Sequence, residues 1–139
     1  MSLQLTNQAD YATRAMFCLA KHGAGRLIPS NEIAERMCIS PMFLSRINSL
    51  LSLAGLINTR RGARGGISLA KDPSEISLYD IIAAVDGPIE LRRCHKDPDA
   101  CERREECEIR PIWDSLNDEL VSKLSNISLQ DLVDHKPIS

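Results

Sequence analysis

Between Asn7 and His22 apolar residues recur at helical spacing, with Ala12, Ala15, Met16 and Leu19 at i, i+3, i+4 and i+7. This predicts an amphipathic helix that Gly23 and Gly25 bring to an end. Asn7 is expected to cap it, and Asp10, three residues on, has the spacing of a capping box. Ser30 is expected to cap a short second helix carrying Ile33, Ala34 and Met37. After the break Cys38-Ile39-Ser40-Pro41, Ser40 caps a third helix with Pro41 at its first position, where a missing N–H costs nothing. Phe43, Leu44, Ile47, Leu50 and Leu51 form its apolar face, and Gly55 ends it. Two short helices joined by a break of about four residues match a helix-turn-helix unit.

Two short apolar runs follow, Leu56-Ile57 and Ile67-Ser68-Leu69. They enclose Asn58-Thr59-Arg60-Arg61-Gly62-Ala63-Arg64-Gly65-Gly66, which predicts a hairpin with arginines and glycines at its tip, a wing. Ser77 then caps a helix through Val85, built on Leu78, Ile81, Ile82 and Val85 and closed by Asp86-Gly87-Pro88. Residues 88–110 show no periodicity. Pro111 opens a longer helix whose Trp113, Leu116, Leu120, Leu124 and Ile127 lie on one stripe, a pattern that suits a dimer contact as well as an internal one. Ser128 is expected to cap a last short helix, Leu129 to Val133. No internal repeat or low-complexity tract is evident. The expected fold is mostly α with a small β-hairpin wing: a winged helix-turn-helix DNA-binding domain over residues 1–87, a cysteine-bearing loop over 88–110, and a dimerisation helix with a C-terminal tail over 111–139.

Charge sharpens this picture. The net charge of −2 over 139 residues conceals an asymmetry. Residues 1–71 carry nine Lys/Arg against three acids, Asp10, Glu32 and Glu35, whereas the remainder is acidic. From Met37 to Lys71 there is no acid at all, only Arg46, Arg60, Arg61, Arg64 and Lys71. Such a stretch suits a phosphate backbone. Met42, Ser45 and Arg46 face away from the apolar side of the third helix, and Ser40 stands at its start. Together with Arg60, Arg61 and Arg64 of the wing, they are the residues expected against double-stranded DNA. The first ten residues lack a basic stretch followed by an apolar one, and no run approaches the roughly 18 apolar residues of a membrane span, so a soluble, cytoplasmic protein is expected.

Cysteine usage adds a second chemistry. Cys94, Cys101 and Cys107 are spaced C-x6-C-x5-C in a segment with many charges and almost no apolar residues. Cysteines kept for packing sit among hydrophobes, so this clustering calls for another reason. Thiolates suit zinc, copper(I) or iron–sulfur clusters. Zinc sites usually bring C-x2–4-C pairs, absent here, and wide loops accommodate a large cluster better than a single ion. An iron–sulfur cluster, zinc, direct thiol redox sensing and no function at all stay open on spacing alone. Cys18 and Cys38, each beside apolar neighbours, are expected to be packing residues. No Ser/His/Asp set, nucleotide-binding glycine loop or pair of catalytic carboxylates can be assembled, and His22, His95 and His135 are scattered, so an enzyme is not expected. An electron carrier that does not bind DNA would leave the acid-free stretch and the wing unexplained.

The chain resembles the bacterial iron–sulfur winged-helix transcription regulators, the Rrf-two family of IscR, NsrR or RirA type, over nearly its whole length. The residues that carry the resemblance are Asp10-Tyr11-Ala12 with Ala15-Met16, Ile39-Ser40, and Ala54-Gly55-Leu56-Ile57. They continue through Arg61-Gly62-Ala63-Arg64-Gly65-Gly66, Ile81-Ile82-Ala83-Ala84-Val85-Asp86-Gly87, the three cysteines and Asn126-Ile127-Ser128-Leu129. The resemblance implies a homodimer, a palindromic operator, and a [4Fe-4S] or [2Fe-2S] cluster on Cys94, Cys101 and Cys107 whose state alters DNA affinity in response to iron, nitric oxide or redox conditions. IscR-like members place a histidine ligand three residues after the last cysteine. Here that position is Arg110, which cannot ligate, and this moves the likeness toward the NsrR or RirA type. In the related nitric-oxide sensors an acid at the position of Asp10 reaches across the dimer, which implies Asp10 from the partner subunit as fourth ligand. Glu106, Glu108, a water or a small thiol are the alternatives.

Overall fold

The computed structural model describes residues 4–23, 25–91 and 108–137. Three helices, α1 (Asn7–Gly23), α2 (Ser30–Met37) and α3 (Pro41–Leu53), precede a hairpin of β1 (Ile57–Arg60) and β2 (Gly66–Leu69). A 3-10 turn (Pro73–Glu75), α4 (Leu78–Asp86), the long α5 (Arg110–Ser125) and the short α6 (Leu129–Val133) complete the chain. This is the mostly helical, winged helix-turn-helix architecture that the sequence predicts. Among the described residues no helix is long and apolar enough to cross a membrane.

Helix α1 is the central post. Ala9, Ala12, Ala15, Met16, Cys18 and Leu19 are at most 1 % exposed. Three of these are alanines, which let other helices approach closely, and α1 packs against α2, α3, α4 and α6. Leu44, Ile47 and Leu51 of α3, Ile33 of α2 and Ile81 of α4 close the core around it, all fully buried. Burying side chains of this size contributes about 1.5–3 kcal/mol each.

The hairpin pairs Ile57 with Leu69 and Arg60 with Gly66 in antiparallel register. Its second strand also bridges Ile28, with N–H to O distances of 2.9 and 2.8 Å between Ile28 and Ile67. Gly66 makes this fit possible, because a Cβ there would stand 2.6 Å from the Ile28 carbonyl oxygen. The wing is thus rooted in the core at its base and free at its tip.

The chain end returns to the same core. Leu78 N–H donates to Ile127 O (2.8 Å) and Leu129 N–H to Ile76 O (2.7 Å), so 76–78 and 127–129 lie antiparallel across a Ser77–Ser128 bridge. Each strand of the bridge then starts a helix with a full capping box, Ser77 with Asp80 and Ser128 with Asp131. The segments Ile76-Ser77-Leu78-Tyr79-Asp80 and Ile127-Ser128-Leu129-Gln130-Asp131 share the residues that build the bridge and the caps. The Ser128 N–H, above all, holds the Asp131 carboxyl below its ordinary pKa, as its role in the box requires.

Several local expectations need correction. The cap of α1 is Thr6, whose Oγ1 accepts from Ala9 N–H (3.0 Å), so Asn7 lies inside the helix and Asp10 forms no capping box. Thr6 and Gln8 also bond to Asp86 and to the Val85 carbonyl at the end of α4, which draws the helix start one residue earlier. Ser30 lies within α2, whose cap is Pro29; its hydroxyl accepts from Asn48 Nδ2 (3.3 Å). Cys18 is buried as expected, and burial pushes its thiol pKa up. Cys38 is not a packing residue: it ends α2 in a left-handed conformation (φ 55°, ψ 49°) that turns its side chain to solvent.

Helix α5 departs most from its predicted stripe. Trp113, Val121 and Leu124 are half-buried and Asn117 is 9 % exposed, whereas Ile112, Leu116 and Leu120 face outward with Ile109 just ahead of them. Asn117 explains the rotation. Its Oδ1 accepts from Leu91 N–H (2.8 Å) and its Nδ2 donates to Ile89 O (3.1 Å), so the amide turns inward to satisfy backbone that has no strand partner.

Candidate nucleic-acid interface

The helix-turn-helix is α2, the turn at Cys38-Ile39-Ser40, and α3. Ser40 caps α3, its Oγ accepting from Phe43 N–H at 3.2 Å, and Pro41 occupies the first turn. Ile39 plugs the turn into the core, 4 % exposed. With Leu44, Ile47 and Leu51 facing inward, the helical period forces Met42, Ser45, Arg46, Ser49 and Leu53 outward, and all five are exposed. Phe43 meets Tyr11 of α1 edge-on, ring centroids 5.2 Å apart, which sets the tilt of α3.

Beside this face stands the wing. A groove of about 950 Å³ runs between them, lined by Ser45, Asn48, Ser49, Ser52 and Leu53 from α3 and by Thr59 through Ala63 of the hairpin. Arg60, Arg61 and Arg64 are all exposed. Gly62 turns the tip with φ 108°, a conformation that a side chain would resist. A Cβ on Gly65 would meet the Arg60 carbonyl oxygen at 2.1 Å, so the tip closes only with glycine there. Among the described residues Arg46, Arg60, Arg61 and Arg64 take part in no ion pair, whereas Arg14, Arg36, Arg110 and Lys136 do. Four unneutralised guanidinium groups beside a groove edged by serines form a surface made for a polyanion.

Of the seven residues expected at DNA, Ser45, Arg60 and Arg61 line this groove, and Ser40, Met42, Arg46 and Arg64 are exposed. Ser49, Ser52, Leu53 and Thr59 line the same groove and were not singled out from the sequence. For the α3 residues the signal was present, since Ser49 and Leu53 follow Met42 and Arg46 at the same helical period.

Cys94, Cys101 and Cys107 lie outside the described residues. Among the described residues no three His, Cys, Asp or Glu side chains converge. Asp10 is part-exposed in the first turn of α1 and bonds Arg14 at 2.9 Å. The Arg14 guanidinium lies 5.2 Å from the centre of the Tyr11 ring, so contacts run from Asp10 through Tyr11 to Phe43 on α3. Arg110, where a histidine ligand would stand, pairs with Asp114 at 3.5 Å.

Comparison with known proteins agrees with this geometry. HTH-type transcriptional regulator IscR of Photorhabdus laumondii is 35 % identical over 136 residues, 98 % of this chain and 82 % of that protein. IscR of Escherichia coli K12 is 33 % identical over 98 % of this chain and 83 % of its own. The structure of T. potens IscR matches with a TM-score of 0.77 at 27 % identity, covering 99 % of this chain and 90 % of that one. CymR, the global cysteine regulator of B. subtilis, matches with a TM-score of 0.78 at 27 % identity, covering 98 % and 100 %. Residues 5–135 match the Rrf2 family, described as iron-dependent transcriptional regulators. With a helix-turn-helix, a rooted wing and a full-length family match, the chain belongs to the Rrf2 family of transcriptional regulators.

Proposed function

We propose that this regulator is a dimeric repressor that binds a palindromic operator in double-stranded DNA and senses iron, nitric oxide or redox state through an iron–sulfur cluster. The acid-free face formed by α3 and the wing carries the DNA part of this reading. Residues 1–87 supply that face, 88–110 the cluster loop, and 111–139 the dimerisation helix and tail. Ile109, Ile112, Leu116 and Leu120 form an outward apolar stripe, 37–62 % exposed, that a second copy would cover. A two-fold pair would set two recognition helices about one helical turn of DNA apart.

The donor set fits a cluster. Cys94, Cys101 and Cys107 would supply three soft thiolates, and the partner subunit's Asp10 a fourth, oxygen ligand. The cluster, of [4Fe-4S] or [2Fe-2S] type, would supply a group that reacts with oxidants or nitric oxide and is lost when iron is scarce. The chain's part is to tie the loop. One foot, Ile89 to Leu91, is pinned to α5 by Asn117, and the other runs directly into the N-terminus of that helix. A second reading keeps the fold and DNA binding, with the three thiols acting as a redox sensor without metal or around zinc; the match to CymR, a regulator not described as iron-dependent, leaves room for it.

Protein isolated anaerobically is expected to be coloured and to contain iron and acid-labile sulfide. Its affinity for a specific operator should change at least about tenfold when the cluster is removed, a bias of about 1.4 kcal/mol. A colourless, zinc-loaded protein would favour the second reading, and equal affinities of the two forms would remove sensing by this route. The role of Asp10 is tested in a mixed dimer, with Asp10→Ala on one chain and Cys94, Cys101 and Cys107 changed to alanine on the other. Ligation across the interface predicts one normal cluster site per mixed dimer. A site that instead behaves like the Asp10→Ala homodimer would exclude it.

A further inference from the structure

Met42 occupies the second position of α3 and is 86 % exposed, in contrast to the fully buried Met16. Single exposed apolar side chains are ordinary on protein surfaces. This one heads a row. Met42, Arg46, Ser49 and Leu53 follow at i, i+4, i+7 and i+11, within roughly 60° of one another around the helix axis. The row is the middle of the face that α3 turns away from the core, and Met42 is at its N-terminal end. In helix-turn-helix proteins that end of the second helix meets the base edges in the major groove.

The chemistry of the row limits what it can distinguish. Reading adenine takes an amide, and Asn48, the amide of α3, gives its Nδ2 to Ser30. Reading cytosine takes a carboxylate, and α3 carries none. Arg46 suits guanine or a phosphate, and serines pair with any base. Met42 brings a flexible apolar chain with no donor and a weakly accepting sulfur. Of the groups a base pair shows in the major groove, one is apolar, the C5-methyl of thymine.

We propose that Met42 reads a thymine methyl in each operator half-site, an assignment that rests on the DNA-binding role given above. Met42 and Arg46 stand one turn apart, about 6 Å along the axis. The thymine therefore lies within about two base pairs of the step that Arg46 addresses, since base pairs stack every ~3.4 Å.

The experiment selects a duplex from a random-sequence pool with the full-length protein, isolated anaerobically and, in parallel, freed of iron. Each thymine is then replaced in turn by deoxyuridine, which deletes only the methyl group, and affinity is measured at constant salt. For the wild-type protein one thymine per half-site is expected to lose about three- to fivefold in affinity on demethylation, the value of one buried methyl. Met42→Ala should bind the unmodified duplex as weakly as the wild type binds the demethylated one, and lose nothing further on demethylation. The assignment is overturned if no deoxyuridine costs the wild type more than about twofold, or if Met42→Ala suffers the same loss as the wild type. Should neither form of the protein enrich any duplex, the DNA-binding role fails and this assignment with it. Met42 contributes nothing to the core, so circular dichroism of Met42→Ala should match the wild type.

Discussion

Arg64→Ala is expected to remove most operator binding, at least tenfold at near-physiological salt, with the fold intact. Arg64 is exposed at the free end of the wing and has no ion pair among the described residues, so its loss leaves no buried partner stranded. Its contribution is to replace condensed counterions on phosphate or to enter a narrow minor groove. If the contact is to phosphate, the slope of log affinity against log salt should fall by about 0.9 per lost contact, or about 1.8 for a symmetric pair of sites. Arg46→Ala is expected to act differently, relaxing base preference on the helix that carries Met42. Binding by Arg64→Ala at wild-type strength in matched salt would show that the wing does not touch DNA.

Leu129→Ala should be strongly destabilising. Leu129 is fully buried although it lies only ten residues from the chain end. Truncating a leucine in such a site costs about 2–5 kcal/mol, which lowers the thermal midpoint on the order of 10 °C. The damage should extend beyond the cavity, because Leu129 N–H also forms one rung of the Ser77–Ser128 bridge. Leu53→Ala is the control: Leu53 is 88 % exposed, and its loss should stay within about 0.5 kcal/mol. Urea unfolding of both variants decides the matter. Equal midpoints would mean that the C-terminal helix is an appendage and not a part of the core.

Much of this was legible in the sequence, for identifiable reasons. Buried stripes such as Ala12-Ala15-Met16-Leu19 announce themselves because both period and residue type point inward. The wing was legible because arginine and glycine are placed where a hairpin must turn. The failures came where two residues compete for one role. Thr6 and Asn7 can both cap a helix, and the choice falls to bonds that Thr6 and Gln8 make with residues some eighty positions away. Cys38 was misjudged because cysteine is usually buried, whereas here it ends α2 in a left-handed conformation and is exposed. The apolar pattern of α5 left open an internal or an intermolecular contact; Trp113 and Leu124 are half-buried while Leu116 and Leu120 face outward, a split that a pattern alone cannot show. For the proposed cysteine centre, spacing singles out three thiols and is silent on a fourth ligand, because a ligand given by another subunit would leave no local pattern.

That buried amide has a consequence for how the protein can change over time. In the bend leading into residues 92–107 one side chain meets two main-chain groups, Leu91 N–H and Ile89 O. Any residue but proline offers that N–H, and every residue offers that carbonyl. Part of the information specifying the bend is therefore stored 26 positions away from Leu91, at Asn117. Asn117→Asp would keep the acceptor and lose the donor, and Asn117→Leu would lose both. The bend itself can accept many spellings while its distant latch accepts very few, so this foot of the loop can drift in sequence without drifting in place.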